Sequence, residues 1–199
     1  MVSSTPCCRS SLASLPSLAR CLLAAAALVL SLGAHAQGIF IKSAELTPTE
    51  AGYALDANYD VVLTPTLEEA LSHGVALTFV TEFEVLYPRW WTFNLWNLVV
   101  SEFRTQHKLS FHALTRQYRL TFGALSQNFD TLSEALSVIG RVRYSPAVRY
   151  QEVDPGRIYT AALRLRLDTS QLAKPLQIDA FGSSDWNLSS DWYRWTFRP

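Results

Sequence analysis

Apolar and polar positions alternate along most of the chain. In residues 76–87, leucine, phenylalanine, valine and tyrosine occupy one set of alternate positions, and threonine and glutamate occupy the other. Residues 158–168 repeat the pattern with leucines and arginines, and residues 110–122 and 142–150 are rich in aromatic and β-branched side chains. One apolar and one polar face per strand is typical of antiparallel sheet. The pattern therefore predicts a mainly β protein, an antiparallel β-sandwich.

Two short stretches interrupt the alternation and predict helices. In residues 64–74, Thr64 is a suitable N-cap, Pro65 stands at the first helical position and Gly74 ends the stretch. In residues 130–140, we assign Asp130 as the N-cap and Gly140 as the end. Two short helices therefore accompany the strands.

Turn residues divide the rest of the chain into strands. The DPGR stretch at 154–157 predicts a tight turn, and a polar turn is expected at 169–171, before Lys174 and Pro175. Residues 186–197 are expected to form a final strand that is kinked at its serines. No linker or charge block divides the chain after the amino terminus, so we expect a single domain.

The two predicted helices resemble each other in sequence. Aligning residues 53–74 with 118–140 from Tyr53 and Tyr118 pairs T-L-x-E-A-L-S with itself, 65 residues further along the chain. Internal repeats of this kind change the interpretation of a fold. Two explanations stay open: a duplicated strand–helix–strand unit, or a coincidence between two helices of similar composition.

The amino terminus has the features of a secretory signal peptide. Arg9 and Arg20 precede an apolar run at 21–32, and Ala34 and Ala36 provide a small-x-small cleavage site. A stable transmembrane helix needs about 20 apolar residues, more than this run contains. We expect cleavage after Ala36 and export to the periplasm of a Gram-negative bacterium, which leaves residues 37–199 as the single domain. The alternative is an amino-terminal membrane anchor.

Cysteine content and charge limit the chemistry that the protein can perform and the partners that it can bind. All three cysteines lie within residues 1–36, so the exported domain has neither disulfides nor a thiol nucleophile. The sequence has 17 basic and 17 acidic residues, and removal of Arg9 and Arg20 with the signal peptide leaves the acidic residues in slight excess. This balance disfavours nucleic-acid binding. No later segment is long and apolar enough to span a membrane. The sequence does not determine the oligomeric state.

Candidate catalytic groups are few. His73 stands at a helix end, His107 in a predicted polar turn and His112 in a predicted strand, and none has zinc-protease spacing. Glycine-rich phosphate loops and nucleophile elbows are absent from the sequence. Glu82 and Glu84 share one strand face and could serve a glycosidase, but we interpret them as a solvated outer face. We therefore expect a non-enzymatic protein without metal or cofactor.

The segment YPRWWTFNLWNL at 87–98 contains half of the six tryptophans. If Trp91 faces the core, alternation directs Trp90 and Trp96 outward, where aromatic anchors serve binding faces. The alternative is a buried tryptophan cluster covered by the final strand. The candidate binding residues are Arg89, Trp90, Asn94, Trp96 and Asn97.

Several of these segments resemble a known family. Residues 89–91, 109–120, 159–178 and the tryptophan-rich end are similar to the DUF4390 proteins of proteobacteria, also called proline-rich signal peptide proteins. The resemblance covers essentially all of the chain after residue 36. It implies an exported bacterial protein of unknown function, and it transfers no catalytic residue to this sequence.

These observations together predict a binding or adaptor module with an aromatic and arginine-rich face. Its partner would be an envelope protein or another component of the cell envelope. Two alternatives stay open. One is a carrier of an apolar ligand held between the sheets, and the other is a glycan-processing hydrolase that uses Glu82 and Glu84 or His112.

Overall fold

Two antiparallel sheets packed face to face form the architecture in the computed structural model, which describes residues 38–87 and 98–199. The smaller sheet has the order β1-β2-β7, with β1 at Gly38–Thr49, β2 at Gly52–Val62 and β7 at Arg141–Arg149. The larger sheet has the order β6-β5-β4-β3-β8-β9. Its strands are β3 (Leu77–Tyr87), β4 (Leu98–His112), β5 (Gln117–Phe122), β6 (Leu125–Phe129), β8 (Tyr159–Leu167) and β9 (Tyr193–Phe197). The predicted mainly β, antiparallel sandwich is confirmed.

The hydrophobic core lies between the two sheets because every second residue of the central strands points inward. In β3 the inward side chains of Phe79 and Phe83 are almost completely buried, and in β8 Leu163 and Leu165 are fully buried. Leu55 of β2 faces them from the smaller sheet and is equally buried. Truncation of a buried phenylalanine to alanine typically costs about 3–5 kcal/mol, so these alternating positions hold the sheets together.

Within the described residues, three α-helices connect the strands, one more than predicted. They are α1 (Pro65–Ser72), α2 (Leu132–Ile139) and α3 (Lys174–Gly182). In α3 a proline stands among the first two positions, which is a helix-start signal, but the helix has no clear apolar stripe. Within residues 38–87 and 98–199, none of the helices has the length and apolar character needed to cross a membrane.

Threonine hydroxyls cap both predicted helices. The Thr64 Oγ1 accepts a hydrogen bond from the Leu67 amide at 3.2 Å, as predicted for α1. For α2 the assignment of Asp130 is wrong, because Thr131 Oγ1 accepts from the Glu134 amide at 3.2 Å. The Asp130 carboxylate instead accepts a hydrogen bond from the side chain of Gln117.

The turns follow the sequence closely, with one exception. Gly156 has a φ of +84° in the predicted turn at 154–157, and residues 169–171 form a 3-10 turn as expected. Residues 110–122, interpreted as one strand-like stretch, contain a turn between β4 and β5. Arg116 adopts the left-handed conformation there, with a φ of 53°.

The two halves of the proposed repeat differ in their strands. Residues 53–62 lie in the single continuous strand β2 of the smaller sheet. The aligned residues 118–127 are divided between β5 and β6 of the larger sheet, with Gly123 in the turn between them. Both helices are capped by a threonine, but Thr131 aligns with Thr66 and not with the cap Thr64, so the caps are not equivalent. The duplication stays a prediction.

Candidate functional site

The five residues predicted to bind a partner lie outside the described residues. They all fall in the segment 88–97, which joins β3 to β4, and their role stays a prediction. The tryptophans of the carboxyl-terminal region are described. Trp186 is buried, and the ring of Trp195 lies 6.2 Å from that of Phe83 on the core side. Trp192 lies on the outer face of the larger sheet, against Arg164.

Charged side chains form rows across the outer face of the larger sheet. The register places Glu82 of β3 directly opposite Arg104 of β4 and Arg164 of β8. Cross-strand neighbours on one face are close enough to interact, and opposite charges stabilise such pairs. Arg166, two residues beyond Arg164 on β8, points to the same face. Glu82 is therefore surrounded by arginines on both sides.

The carboxylate of Glu82 is buried among these arginines. Only 6% of the residue is exposed. Its Oε2 accepts hydrogen bonds from Nε of Arg164, at 3.0 Å, and from Nη2 of the same guanidinium. Its Oε1 accepts from Nε of Arg166 at 3.1 Å, and Nε of Arg104 lies 3.9 Å away. Two guanidinium groups are therefore held at fixed positions by one carboxylate.

The surroundings of Glu82 determine its ionisation. Burial by itself raises the pKa of this carboxyl, but the hydrogen bonds and positive charges of Arg164 and Arg166 outweigh it and lower the pKa below 4.5. Glu82 is thus ionised at neutral pH. The interpretation of Glu82 as a solvated residue is wrong, because arginines from two neighbouring strands cover its carboxylate.

Trp192 provides an aromatic surface beside the arginines. The guanidinium of Arg164 lies over its ring, 4.5 Å from the centroid, and that of Arg194 lies 5.8 Å from it. Guanidinium groups at this distance from an indole ring are attracted by its electron-rich face. Trp192 and Glu82 together restrict Arg164 from two sides, so this guanidinium is pre-organised.

Positive charge is in excess on this surface. We call the outer surface of the larger sheet around Glu82 and Trp192 the arginine face. Its cations are Arg104, Lys108, Arg119, Arg164, Arg166 and Arg194, and its carboxylates are Glu82, Glu84, Glu102 and Asp168. Two of the four carboxylates, Glu82 and Asp168, are already paired with arginines. Among the described residues of this face, six cations exceed four carboxylates by two, and this excess favours an acidic partner.

The histidines occupy three different environments. His73 is the C-cap of α1, and its Nδ1 lies 2.8 Å from the Glu69 carbonyl oxygen, which agrees with the predicted helix-end position. The prediction of a turn at His107 is wrong, since this residue lies in β4 and stacks on Phe122 with ring centroids 4.9 Å apart. Burial lowers the pKa of His107. His112 is exposed at the end of β4.

Among the residues that the structure describes, no three or more histidine, cysteine, aspartate or glutamate side chains come together as a metal site. The negative charge of Glu82 is neutralised by arginines. What the described surface offers is a rigid set of hydrogen-bond donors beside an aromatic ring.

Sequence reasoning missed the residues of this cluster, although some of its signals are visible. Arg164 and Arg166 alternate with leucines in the segment LRLRL, and Glu82 stands at a polar position of the same alternating pattern in β3. Without the strand order, however, no pattern shows that these segments are neighbours. Glu82 and Arg164 are 82 residues apart in the chain.

Fold and surface together define an antiparallel β-sandwich with an arginine-rich outer face. The chain belongs to the DUF4390 family, whose model, described as a domain of unknown function, matches residues 36–196. The resemblance inferred from the sequence is thereby confirmed. No curated protein and no solved structure matches the chain.

Proposed function

We propose that this protein is a non-enzymatic binding or adaptor module of the bacterial cell envelope, and that it binds a partner protein through the arginine face. The observation that carries the proposal is the arrangement of Arg104, Arg164 and Arg166 around the buried Glu82, with Trp192 beside them. Arginine and tryptophan are the residue types that most often dominate the energy of protein interfaces. The membership of a family of unknown function is compatible with this role.

Rigidity favours a binding role for these side chains. A free arginine loses much side-chain entropy when a partner immobilises it, at a cost of about 0.5–1.5 kcal/mol for each side chain. Arg164 and Arg166 are already fixed by Glu82, and their side chains are still about one-third exposed, at 30% and 33%. These two arginines can therefore contact a partner with a reduced entropic cost.

The charge of the surface indicates the chemistry of the partner. Arg104, with 71% of its side chain exposed, and the exposed Arg194 lie on either side of the buried cluster. Acidic side chains on a partner would complement these cations and would increase the association rate at low salt. We therefore expect an envelope protein that presents carboxylates, and we expect its affinity to fall as salt is raised.

Export is the second part of the proposal, and it rests on the sequence of residues 1–36. Cleavage after Ala36 would give a mature protein that begins with Gln37. The test is to express the full chain in a Gram-negative host, release the periplasm by osmotic shock and measure the intact mass. A periplasmic protein of the mass of residues 37–199 is expected. Recovery of the uncleaved chain with the membranes would support the anchor instead.

Matched pairs of arginines allow a direct test of the binding face. The test variant changes Arg104 and Arg194 to serine on the arginine face. The control variant changes Arg141 and Arg143 to serine, two exposed residues of β7 on the smaller sheet. Arg104 and Arg143 are well matched, since each is mostly exposed and forms one long ion pair, of 3.9 Å and 3.6 Å respectively.

Wild-type protein and both variants are immobilised and exposed to detergent-solubilised envelope proteins from the native bacterium. We expect a discrete protein to bind the wild type and the control variant equally, and to bind the test variant at least about tenfold more weakly. Equal retention by all three proteins, or loss from both variants, would contradict the assignment of the arginine face.

A ligand carrier is the second candidate function, and one feature favours it. A cleft of about 950 Å³ lies near the start of β3, at the upper end of the usual range for ligand sites. Its wall is mixed, since Phe122, Tyr144 and Leu176 contribute apolar groups and Arg104 and Lys108 contribute cations. Native mass spectrometry of the periplasmic protein would detect a retained ligand as an added mass. Glu82 is disfavoured as the general acid of a hydrolase, because a general acid needs a raised pKa and that of Glu82 is lowered. It is also disfavoured as a nucleophile, because both of its carboxylate oxygens accept hydrogen bonds from Arg164 and Arg166.

A further inference from the structure

A second polar cleft opens at the edge of the arginine face, between β8 and the chain that follows α3. It has a volume of about 500 Å³. Arg164 and Arg166 line one side. The other side is lined by Ala180, Ser183, Ser184, Trp186, Asn187 and Ser189. Cations and neutral hydrogen-bonding groups thus make up most of the lining, beside Leu167, Ala180 and Trp186.

The guanidinium groups keep donors available for a ligand. Arg164 uses Nε and Nη2 to bind Glu82, and Arg166 uses Nε. The Nη1 of Arg166 lies 3.8 Å from a carboxylate oxygen of Asp168, which is long for a hydrogen bond. Within the described part of the chain, Nη1 of Arg164 and Nη2 of Arg166 form no hydrogen bond. Each arginine therefore retains at least one N–H group for a further acceptor.

Charge in and around the cleft favours an anion. No carboxylate side chain is found among the described residues that line it. Glu82 and Asp168, the carboxylates that pair with these guanidinium groups, do not line the cleft. Guanidinium groups bind carboxylate and phosphate oxygens through strong, directional hydrogen bonds. The serine hydroxyls and the Asn187 amide can donate to the remaining oxygens of such a group.

We infer that this cleft binds a small polar ligand through an oxyanion group, a carboxylate or a phosphate, that is held between Arg164, Arg166 and the side chains of Ser183, Ser184 and Asn187. The cleft shares Arg164 and Arg166 with the arginine face, but its walls do not include Arg104 or Arg194, so different variants test the two roles. The inference stands whether or not a partner protein docks on the arginine face.

Nuclear magnetic resonance on the mature protein tests the inference. Sodium phosphate and sodium acetate are titrated separately at constant ionic strength, with sodium chloride as the comparison. We expect saturable shifts at the Nε–H groups of Arg164 and Arg166 and at the amides of residues 183–189, with little change at Arg143 on the smaller sheet. Saturation by phosphate alone would identify a phosphate-bearing ligand, and saturation by acetate would identify a carboxylate.

A double variant removes the neutral side of the cleft without disturbing Glu82. Ser184→Ala with Asn187→Ala keeps both arginines, so the fold and the buried cluster are retained. It should weaken binding of the saturating anion at least about tenfold. Shifts that are no larger than those with chloride, or that spread equally to Arg143, would overturn the inference. Full affinity in the double variant would overturn it as well.

Discussion

Replacing Glu82 by glutamine tests whether this carboxylate organises the arginine face. The change keeps the size of the side chain and removes its charge. Glu82 accepts hydrogen bonds from Arg164 and Arg166, and glutamine can accept with only one of its two terminal atoms. Its amide group would face a guanidinium donor. The arginines would then repel one another without a compensating charge.

The expected loss of stability follows from these contacts. Breaking a fully buried ion pair by removing one partner costs about 3–5 kcal/mol. Glu82 is buried, but about one-third of each of the Arg164 and Arg166 side chains is exposed, so water recovers part of the loss. We therefore expect the lower end of that range, about 3 kcal/mol. In a domain of this size, that loss lowers Tm by roughly 6–12 °C.

Thermal and urea unfolding of the mature wild type, Glu82→Gln and Glu84→Gln provide the assay. Glu84 is the matched control, since it lies on the same strand and face and is only half-buried. Its substitution should change the free energy of unfolding by no more than about 0.5 kcal/mol. If Glu82→Gln unfolds at the same midpoint as Glu84→Gln, the carboxylate does not organise the face.

The pH dependence provides an independent check on Glu82. Its pKa in the folded state is lowered, so its contribution to stability is fully present above the unfolded value of 4.5 and is lost as the pH falls through the folded value. The difference between wild type and Glu82→Gln should therefore be largest at neutral pH and shrink below pH 4.5. A constant difference down to strongly acidic pH would refute the electrostatic cause.

Three further predictions concern other parts of the chain. Changing Trp90 and Trp96 to serine should abolish partner binding and leave Tm almost unchanged; a large loss of stability would assign both rings to the core. Thr64→Ala should destabilise the protein by about 1–2 kcal/mol and more than Thr131→Ala does, because Thr64 Oγ1 caps α1 and also donates to the Asp185 carbonyl at 2.9 Å. Equal losses in urea unfolding would contradict this. Burial lowers the pKa of His107, so the contribution of this residue to stability should be lost as the pH falls below 6.5. His107→Phe should remove that pH dependence. An unchanged pH profile in the variant would show that His107 does not cause it.

The strands at the centre of the sandwich could be predicted because their local pattern is set by burial. Phe79, Phe83, Leu163 and Leu165 alternate with polar residues, and all four are in the core. The starts of α1 and α2 could also be predicted from the local sequence, apart from the choice between Asp130 and Thr131 as the N-cap of α2. That choice depends on which of two adjacent oxygen-bearing side chains reaches the free amides.

The arginine face could not be predicted because it depends on strand order. Alternation places Glu82 on the outer face, and an outer carboxylate is normally solvated. Its burial results from β4 and β8 pairing on either side of β3, which brings arginines from distant segments beside it. The wrong prediction of a turn at His107 has a different cause. Its polar neighbours in the sequence suggested a turn, but β4 extends through this segment and directs the ring against Phe122.

Site-specific photocrosslinking in living cells tests the central claim most directly. A benzophenone amino acid replaces Arg194 on the arginine face and, in a separate strain, Arg143 on the smaller sheet. Both residues are exposed, and both variant proteins must be exported at the wild-type level. We predict a discrete protein adduct from position 194 that is absent from position 143. The same adduct from both positions, or from position 143 alone, would contradict a partner-binding role of the arginine face.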